Sequence, residues 1–425
     1  MSASSGPASP ARAKISAPRL IWHGRGRYIR VLGTIRQLQQ ALWQHRDLLR
    51  SKDEDARMPL HEDVAAAVAE LCRRNGGAWI KFAQFLSCRP DLLPPPYIDA
   101  FTALREDAPS AHFDDVQPWL EELLGKDWAK TFSAFNIIPV ASASIAQVHR
   151  ARLADGTDVA VKLQLPKVRQ EFQEDAAALR ALARVLAPLL REIDLRQVVN
   201  QLIVTTEREL DFNQEARHLA DFAALPHGPN IRVPSVFPAL CSERLLVTEW
   251  MEGPSLSQVL EIGDDAQIRP LLETLLDSTL QQVLEFGLFH ADPHPGNFIA
   301  MDNKTLAVLD LGAVERLSPE DRQRYTLLLM ALLREESTTP LLPLFEAAGF
   351  SGVDEARLTL LSEALVAART RDTTLADNLR ALMDEFRRLH LQIPDPFVAM
   401  VRVLITVGGL MTRYSIPFRW PALNG

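Results

Sequence analysis

Apolar and polar positions change period several times along the chain. From His61 to Cys88 the apolar spacing is helical, with a break expected at Gly76-Gly77. Arg89-Pro90 and Pro94-Pro95-Pro96 punctuate a loop, and Tyr97–Arg105 and Val116–Leu124 read as short helices. The texture changes at Phe135. Ile137–Arg152 and Val159–Leu165 are rich in Ile, Val and alternating residues, which predicts two strands, with Asp155-Gly156 as the hairpin turn between them. A helical period returns from Val168 to Leu225, where Leu179, Leu182, Leu186 and Leu189 mark one face. Arg244–Trp250 predicts a short strand closed by Gly253-Pro254. Beyond Pro254 the chain is mostly helical. Ser318-Pro319-Glu320-Asp321 is a helix start, with a Ser cap, Pro at the first position and an acid at the third. No internal repeat is visible. The order predicts an α+β, bilobal chain: a basic, partly disordered arm over 1–55, a helical extension over 56–134, a sheet-bearing lobe with inserted helices over 135–250, and a helical lobe over 251–425.

Composition narrows the class. The 425 residues are 47% apolar and 24% charged, which is ordinary globular composition. Three cysteines, Cys72, Cys88 and Cys241, stand far apart, so neither a disulfide scaffold nor a four-cysteine zinc module is expected. The nine-residue stretch Val403–Met411 is flanked by Arg402 and Arg413 and is too short to span a bilayer. No signal-peptide core follows the N-terminus. These features predict a cytoplasmic protein with no transmembrane segment, peripheral at most at the inner membrane face. The first fifty residues hold nine Lys or Arg against one acid, Asp47, while the whole chain carries −8. The body is therefore acidic, which argues against a nucleic-acid partner. The basic arm has three readings: an interfacial helix around Arg27–Leu49 contacting an anionic membrane, a solvated arm or packed helix, or a transit peptide. Residues 1–18 read as a disordered tail.

The chemistry concentrates at His290-Ala291-Asp292-Pro293-His294-Pro295-Gly296-Asn297. Two prolines and a glycine make this a rigid loop, which holds a carboxylate and a carboxamide five positions apart. Leu306–Gly312 comes next as a short strand ending in a second carboxylate, Asp310. Phosphoryl transfer needs such a set: one Asp (Asp292) near the acceptor, and an Asn (Asn297) and an Asp (Asp310) holding Mg²⁺ on the phosphates. The Asp292-to-Asn297 spacing equals that of the protein-kinase catalytic loop. A His290/His294 metal pair is disfavoured, because the prolines break the helix that would align the rings. Lys162, in Val159-Ala160-Val161-Lys162, is a charge inside an apolar strand and needs a partner or an anion. Glu207, Glu209, Asp211 and Glu215 are all available on the next helical stretch, and spacing does not choose among them. The place of a phosphate-covering glycine loop is taken by Pro139–His149, which has no glycine, and no A-P-E comes after Asp310-Leu311-Gly312. An ordinary protein kinase is thereby disfavoured.

Together these residues resemble the UbiB/AarF family of atypical, protein-kinase-like proteins, closely over Glu70–Leu317. The resemblance implies a bilobal protein-kinase-like fold with a helical N-terminal extension, ATP and Mg²⁺ as cofactors, and a role in ubiquinone or related isoprenoid-lipid metabolism, with a quinone precursor or isoprenoid lipid as partner. Lys81-Phe82-Ala83-Gln84 is similar to the family's K-x-G-Q signature, and Ala141–His149 to its alanine-rich loop. Glu209-Leu210-Asp211 is similar to E-x-D. By the resemblance, Glu215 pairs with Lys162, Lys81 pairs with Glu209, and Lys81, Gln84, Glu209 and Asp211 are regulatory. Ala141, Ser142, Ala143 and Ser144 cover the nucleotide. Asp292 is catalytic, and Asn297 and Asp310 hold the metal. Glu249-Trp250-Met251 resembles a kinase hinge, so Glu249 and Met251 would contact adenine. The chain departs from the pattern at Ala83, Ser142, Ala146 and Leu311. Ala avoids positive φ, so lid and inhibitory segment could sit differently here.

Two other classes stand beside this reading. His290–Asn297 is also similar to the loop of aminoglycoside and choline kinase-like enzymes, although the Lys81–Gln84 and Glu209–Asp211 segments favour UbiB/AarF. A non-catalytic, nucleotide-dependent scaffold or lipid-binding regulator is the third. The intact Asp292, Asn297 and Asp310 set argues for turnover instead.

Overall fold

The structure, a computed structural model, describes residues 25–50, 54–87, 93–104, 111–142, 145–166, 168–190, 194–333, 340–368 and 374–417. The expected disordered tail lies outside them. By contacts the chain divides into two units. The first draws on Met1–Cys88, Leu92–Glu106 and Gln170–Ile203, and the second on the rest.

The first unit opens with α1 (Arg25–Gln44) and α2 (Arg46–Arg50), then α3 (Glu54–Asn75), α4 (Ala78–Ser87) and α5 (Pro95–Thr102). Of the three readings of the arm, the packed helix is the one seen for this stretch. Val31, Ile35, Leu38, Ala41 and Leu42 of α1 are buried, and the helix lies against α3. Trp43, Ile29 and Leu32 remain on its outer face. Gly76 and Gly77 both adopt positive φ, 65° and 50°, which ends α3 and turns the chain into α4 as the sequence predicts.

The second unit begins with α6 (Phe113–Leu124), β1 (Phe132–Phe135), β2 (Ala141–Ser142), β3 (Ala146–Leu153) and β4 (Asp158–Gln164). Strand 137–152 is interrupted, contrary to expectation. Pro139 offers no N–H for a ladder, and Asn136 Oδ1 accepts from the Ile138 N–H at 3.0 Å. This turn leaves Ile137 and Ile138 exposed. The expected hairpin is present, with Gly156 at φ 92°.

The helical stretch after β4 is three helices: α7 (Val168–Leu186), α8 (Leu195–Glu209) and α9 (Phe212–Ala223). Acid caps make the breaks. Asp194 Oδ1 accepts from the Arg196 and Gln197 N–H groups at 3.1 Å, and Asp211 Oδ1 accepts from the Asn213 N–H at 3.1 Å. Most of α7 and half of α8 belong to the first unit, where Leu179, Leu182, Leu186 and Leu189 are buried as predicted.

Next come β5 (Ile231–Arg232), β6 (Leu245–Glu249), α10 (Leu256–Ile262), α11 (Asp265–Gln281), β7 (Leu288–His290), β8 (Phe298–Ala300), β9 (Leu306–Val308) and β10 (Val314–Arg316). The order β1-β3-β4-β6, with β2 on β3, makes an antiparallel sheet. Val159, Val161 and Leu163 of β4 are fully buried on one face, over Val116 and Leu120 of α6, so Lys162 points to the other face. β7 pairs with β10, and β9 lies between β5 and β8.

The chain ends in α12 (Pro319–Leu333), α13 (Leu341–Ala347), α14 (Glu355–Ala368), α15 (Leu375–Arg388) and α16 (Asp395–Arg413). Ser318 Oγ caps α12 by accepting from the Asp321 N–H at 3.0 Å. The apolar stretch read as nine residues sits inside a 19-residue helix, α16. By length and composition alone it is long and apolar enough to cross a membrane. Here Phe397, Met400, Val403 and Leu404 are buried in the core with Phe345 and Phe386, which gives that apolarity a use in packing.

Trp79 of α4, fully buried, donates its indole N–H to buried Asp175 of α7 at 2.7 Å. Asp175→Ala removes the acceptor and should destabilise the full chain by about 1–3 kcal/mol. Asp175→Asn should retain most of the stability, read from urea midpoints by circular dichroism.

Candidate functional site

The ammonium of Lys162 is the meeting point of three elements of the second unit. Its Nζ lies 2.8 Å from both carboxylate oxygens of Glu215 on α9 and 3.0 Å from Asp310 Oδ2 after β9. Phe212, at the start of α9, turns its ring face to the same ammonium at 5.4 Å. Burial alone would push Lys162 down, but the carboxylates of Asp310 and Glu215 outweigh it and hold the group well above its ordinary value. Of the four acids open to Lys162 in the sequence, the fold brings Glu215.

Asp310 is held at its other oxygen too, since the Gly312 N–H donates to Oδ1 at 2.8 Å. The His290–Asn297 loop lies beside it. The Leu309 N–H donates to the Asn297 carbonyl at 2.8 Å, and the Ala291 N–H to the Ala313 carbonyl at 3.0 Å. Within the loop, Asn297 Nδ2 donates to the Asp292 carbonyl at 3.0 Å, which presents Oδ1 as an oxygen ligand. Arg402 of α16 donates to the Ala291 carbonyl at 3.1 Å, bracing the peptide before Asp292. His290 is buried, and its Nδ1 accepts from the Asp292 N–H at 3.3 Å, so the hydrogen sits on Nε2, which finds no partner among the described residues. Burial keeps this imidazole below its ordinary value, although Asp292 and Asp310 pull the other way.

Asp310 and Asn297 could hold Mg²⁺. They offer hard oxygen donors, and Mg²⁺ ordinarily takes one or two protein oxygens and completes its shell with waters and substrate phosphates. Among the described residues no three His, Cys, Asp or Glu side chains form a metal-binding group.

Glu249 ends β6 opposite Val159, and its carboxylate accepts from the Ser235 N–H at 3.2 Å. Met251 is buried. Gly253, at φ 146°, lies so close to β8 that a Cβ there would clash with the Ala300 carbonyl. The segment after Met251 is thereby joined to the strand after Asn297. A feature not foreseen from sequence fixes it from outside. The Arg150 guanidinium stacks on Trp250 at 4.7 Å and pairs with Glu252 at 3.0 Å, while Trp250 Nε1 donates to Glu252 at 2.8 Å.

Ala141 and Ser142 form β2, and Ser142 Oγ is buried without a partner among the described residues. Ala143 and Ser144 lie outside the described residues. Beneath this loop runs a buried polar relay, also missed, although its residues stand in the loop's own signature. Gln147 Oε1 accepts from the Ala111 N–H at 2.9 Å, Gln147 Nε2 donates to His149 Nε2 at 2.9 Å, and His149 Nδ1 donates to the Asn136 carbonyl at 2.8 Å. Gln147 Nε2 can only donate, so His149 must be neutral at Nε2.

The regulatory set is placed only in part. Lys81 is partly exposed on α4, next to buried Phe82 and Ala83, and the Gln84 side chain lies outside the described residues. Glu209 closes α8 and Asp211 caps α9. Lys81 belongs to the first unit and Glu209 to the second, so their pairing stays an expectation.

A family model of the ABC1 atypical kinase-like domain matches residues 103–339. The chain is 31% identical over 393 residues to the Protein ACTIVITY OF BC1 COMPLEX KINASE 1, chloroplastic, of Arabidopsis thaliana, covering 88% of this chain and 56% of that protein. It is 30% identical over 287 residues to the AarF domain-containing protein kinase 1 of Xenopus laevis, covering 66% and 55%. The chain spans about half the length of these curated relatives. A solved structure, the Rv3197–erythromycin complex from Mycobacterium tuberculosis, is 28% identical with a TM-score of 0.56, covering 86% of this chain and 95% of that one.

The His149 relay predicts a pH dependence. Burial, only partly offset by the bond to Asn136, holds His149 below its ordinary value of 6.5. Above 6.5 it is neutral folded and unfolded, and the stability is fully present. As pH falls from 6.5 to the depressed folded value, only the unfolded chain takes up the proton, so stability is lost. The melting temperature should be lower at pH 5.5 than at 7.5, and the difference should shrink in His149→Gln.

Proposed function

Because the chain belongs to the ABC1/AarF atypical kinase-like family, we propose that it binds ATP with Mg²⁺ and catalyses phosphoryl transfer or ATP hydrolysis, in support of ubiquinone or related isoprenoid-lipid biosynthesis. The observation that carries this reading is the Lys162 ammonium, bound by Glu215 and within 3.0 Å of Asp310. A cation beside a carboxylate is the pairing that α- and β-phosphates and their metal call for, which supports the reading. Backbone of the Glu249–Met251 segment holds adenine, and the Ala141–Ser144 loop covers the phosphates. Asp292 accepts the proton of the attacking hydroxyl or water as its oxygen bonds to the γ-phosphorus and the bond to ADP breaks. Mg²⁺ at Asp310 and Asn297 would neutralise charge on the β- and γ-phosphates. By the family resemblance, Lys81, Gln84, Glu209 and Asp211 are regulatory. A quinone precursor or isoprenoid lipid is the partner that the family resemblance supports, and the basic N-terminal segment supports contact with an anionic membrane.

The test is Mg²⁺-dependent ATP hydrolysis by the purified chain, with and without anionic liposomes and a quinone-precursor phenol. Asp310→Asn should lower turnover by about two orders of magnitude or more, since it weakens a metal ligand in metal-assisted transfer. Nucleotide binding without turnover, the same in the variant, would overturn the enzyme and leave a nucleotide-dependent scaffold.

A further inference from the structure

We propose that His218 is a positioning residue for the metal-binding carboxylate Asp310, an inference that rests on the function proposed above. His218 Nδ1 lies 2.9 Å from the Leu311 carbonyl, and the carbonyl can only accept, so Nδ1 donates. That carbonyl and the Gly312 N–H are the two ends of one planar peptide group. The N–H end in turn donates to Asp310 Oδ1 at 2.8 Å. The path from imidazole to carboxylate is therefore two hydrogen bonds through a single rigid unit. Donation to its oxygen polarises the peptide and strengthens the bond its N–H makes.

The second oxygen of Asp310 leads back to the same helix. Oδ2 meets Lys162 Nζ at 3.0 Å, and Nζ meets Glu215 at 2.8 Å. Glu215 and His218 stand three positions apart on α9, hence on one face, one turn apart. Both oxygens of the carboxylate are thus fixed from α9, one through an ammonium and one through a peptide. The side chain of Leu311 is fully buried, so the peptide has little freedom apart from rotation about its own axis, which His218 stops. His218 acts on Asp310 through the peptide.

The experiment compares wild type with His218→Phe, which keeps a ring without a donor, and His218→Asn, whose Nδ2 occupies the place of Nδ1. His218→Ala serves if the Phe variant does not fold. In the ligand-free full chain, hydrogen exchange of the segment 306–316 should be faster in His218→Phe and near wild type in His218→Asn, with 158–164 unchanged. With N-methylanthraniloyl-ATP as probe, the Mg²⁺ concentration for half-maximal binding should rise about 10-fold in His218→Phe, the scale of losing an outer-shell partner. It should return in His218→Asn, with binding in chelator unaltered. Wild-type behaviour of His218→Phe in exchange and in Mg²⁺ response overturns the proposal, and so does an Asn variant that behaves like Phe. A wild type that binds the probe without regard to Mg²⁺ overturns the proposed function instead, and the exchange measurement then judges His218 alone.

Discussion

A lysine ammonium set into an apolar strand is the constraint from which the second unit is organised. β4 needs Val159, Val161 and Leu163 on its buried face, and the pleat sends Lys162 to the opposite side. A charge there is tolerable only with a partner close by. Glu215, 53 residues away, and Asp310, 148 residues away, supply it. Helix α9 must therefore lie against the sheet, and Phe212, Leu219 and Phe222, all fully buried, hold it there. The Asp211 cap sets where that helix begins and so which of its residues faces the lysine. Removing Lys162 would take from Glu215, almost wholly buried, the ammonium that both of its oxygens meet.

The segment that carries Asp292 is likewise held at several fixed points. A single π turn at Gln282–Phe286 comes after α11 and ends at Gly287, left-handed at φ 69°. The Leu317 N–H donates to the Gly287 carbonyl at 2.7 Å, and the Gln282 carboxamide accepts from the His290 N–H at 3.0 Å. Such turns gather at functional sites because they re-aim the residues beyond them. Here those residues are β7 and the Asp292 loop, which β10, Asn297 and Arg402 then hold from three sides.

The local parts of this arrangement are legible in the sequence, and the distant ones are not. Two prolines, a glycine and an Asp-to-Asn spacing of five announce the loop because rigidity and donor spacing are written in consecutive residues. The Gly76-Gly77 break, the Ser318 cap and the Asp155-Gly156 turn are legible for the same reason. The partner of Lys162 is not legible in the spacing, since acids at 207, 209, 211 and 215 share a helical stretch; the family resemblance names Glu215, and packing brings it. The Ile137–Arg152 strand fails at Pro139, where β-rich composition masks a lost donor. α16 is under-read because Asp395, Arg402 and Arg413 interrupt the apolar run without interrupting the helix. His218 has a signal, three residues beyond Glu215, but its value lies in a carbonyl 93 positions later.

The three bonds to the Lys162 ammonium are unequal, and the inequality bears on the proposed reaction. Glu215 is almost wholly buried and takes the ammonium with both oxygens, whereas Asp310 offers one oxygen and its side chain is 43% exposed. Water reaches the second partner and not the first, so the Asp310 bond is the weaker and the exchangeable one. Under the proposed function, the anionic oxygens of a triphosphate would compete with Asp310 for Nζ, and the carboxylate would then be available to a divalent cation. Glu215, which meets the ammonium with both oxygens, would keep it in place. The hydrogen bond from the Gly312 N–H would hold Asp310 Oδ1 oriented while its other oxygen changed partner.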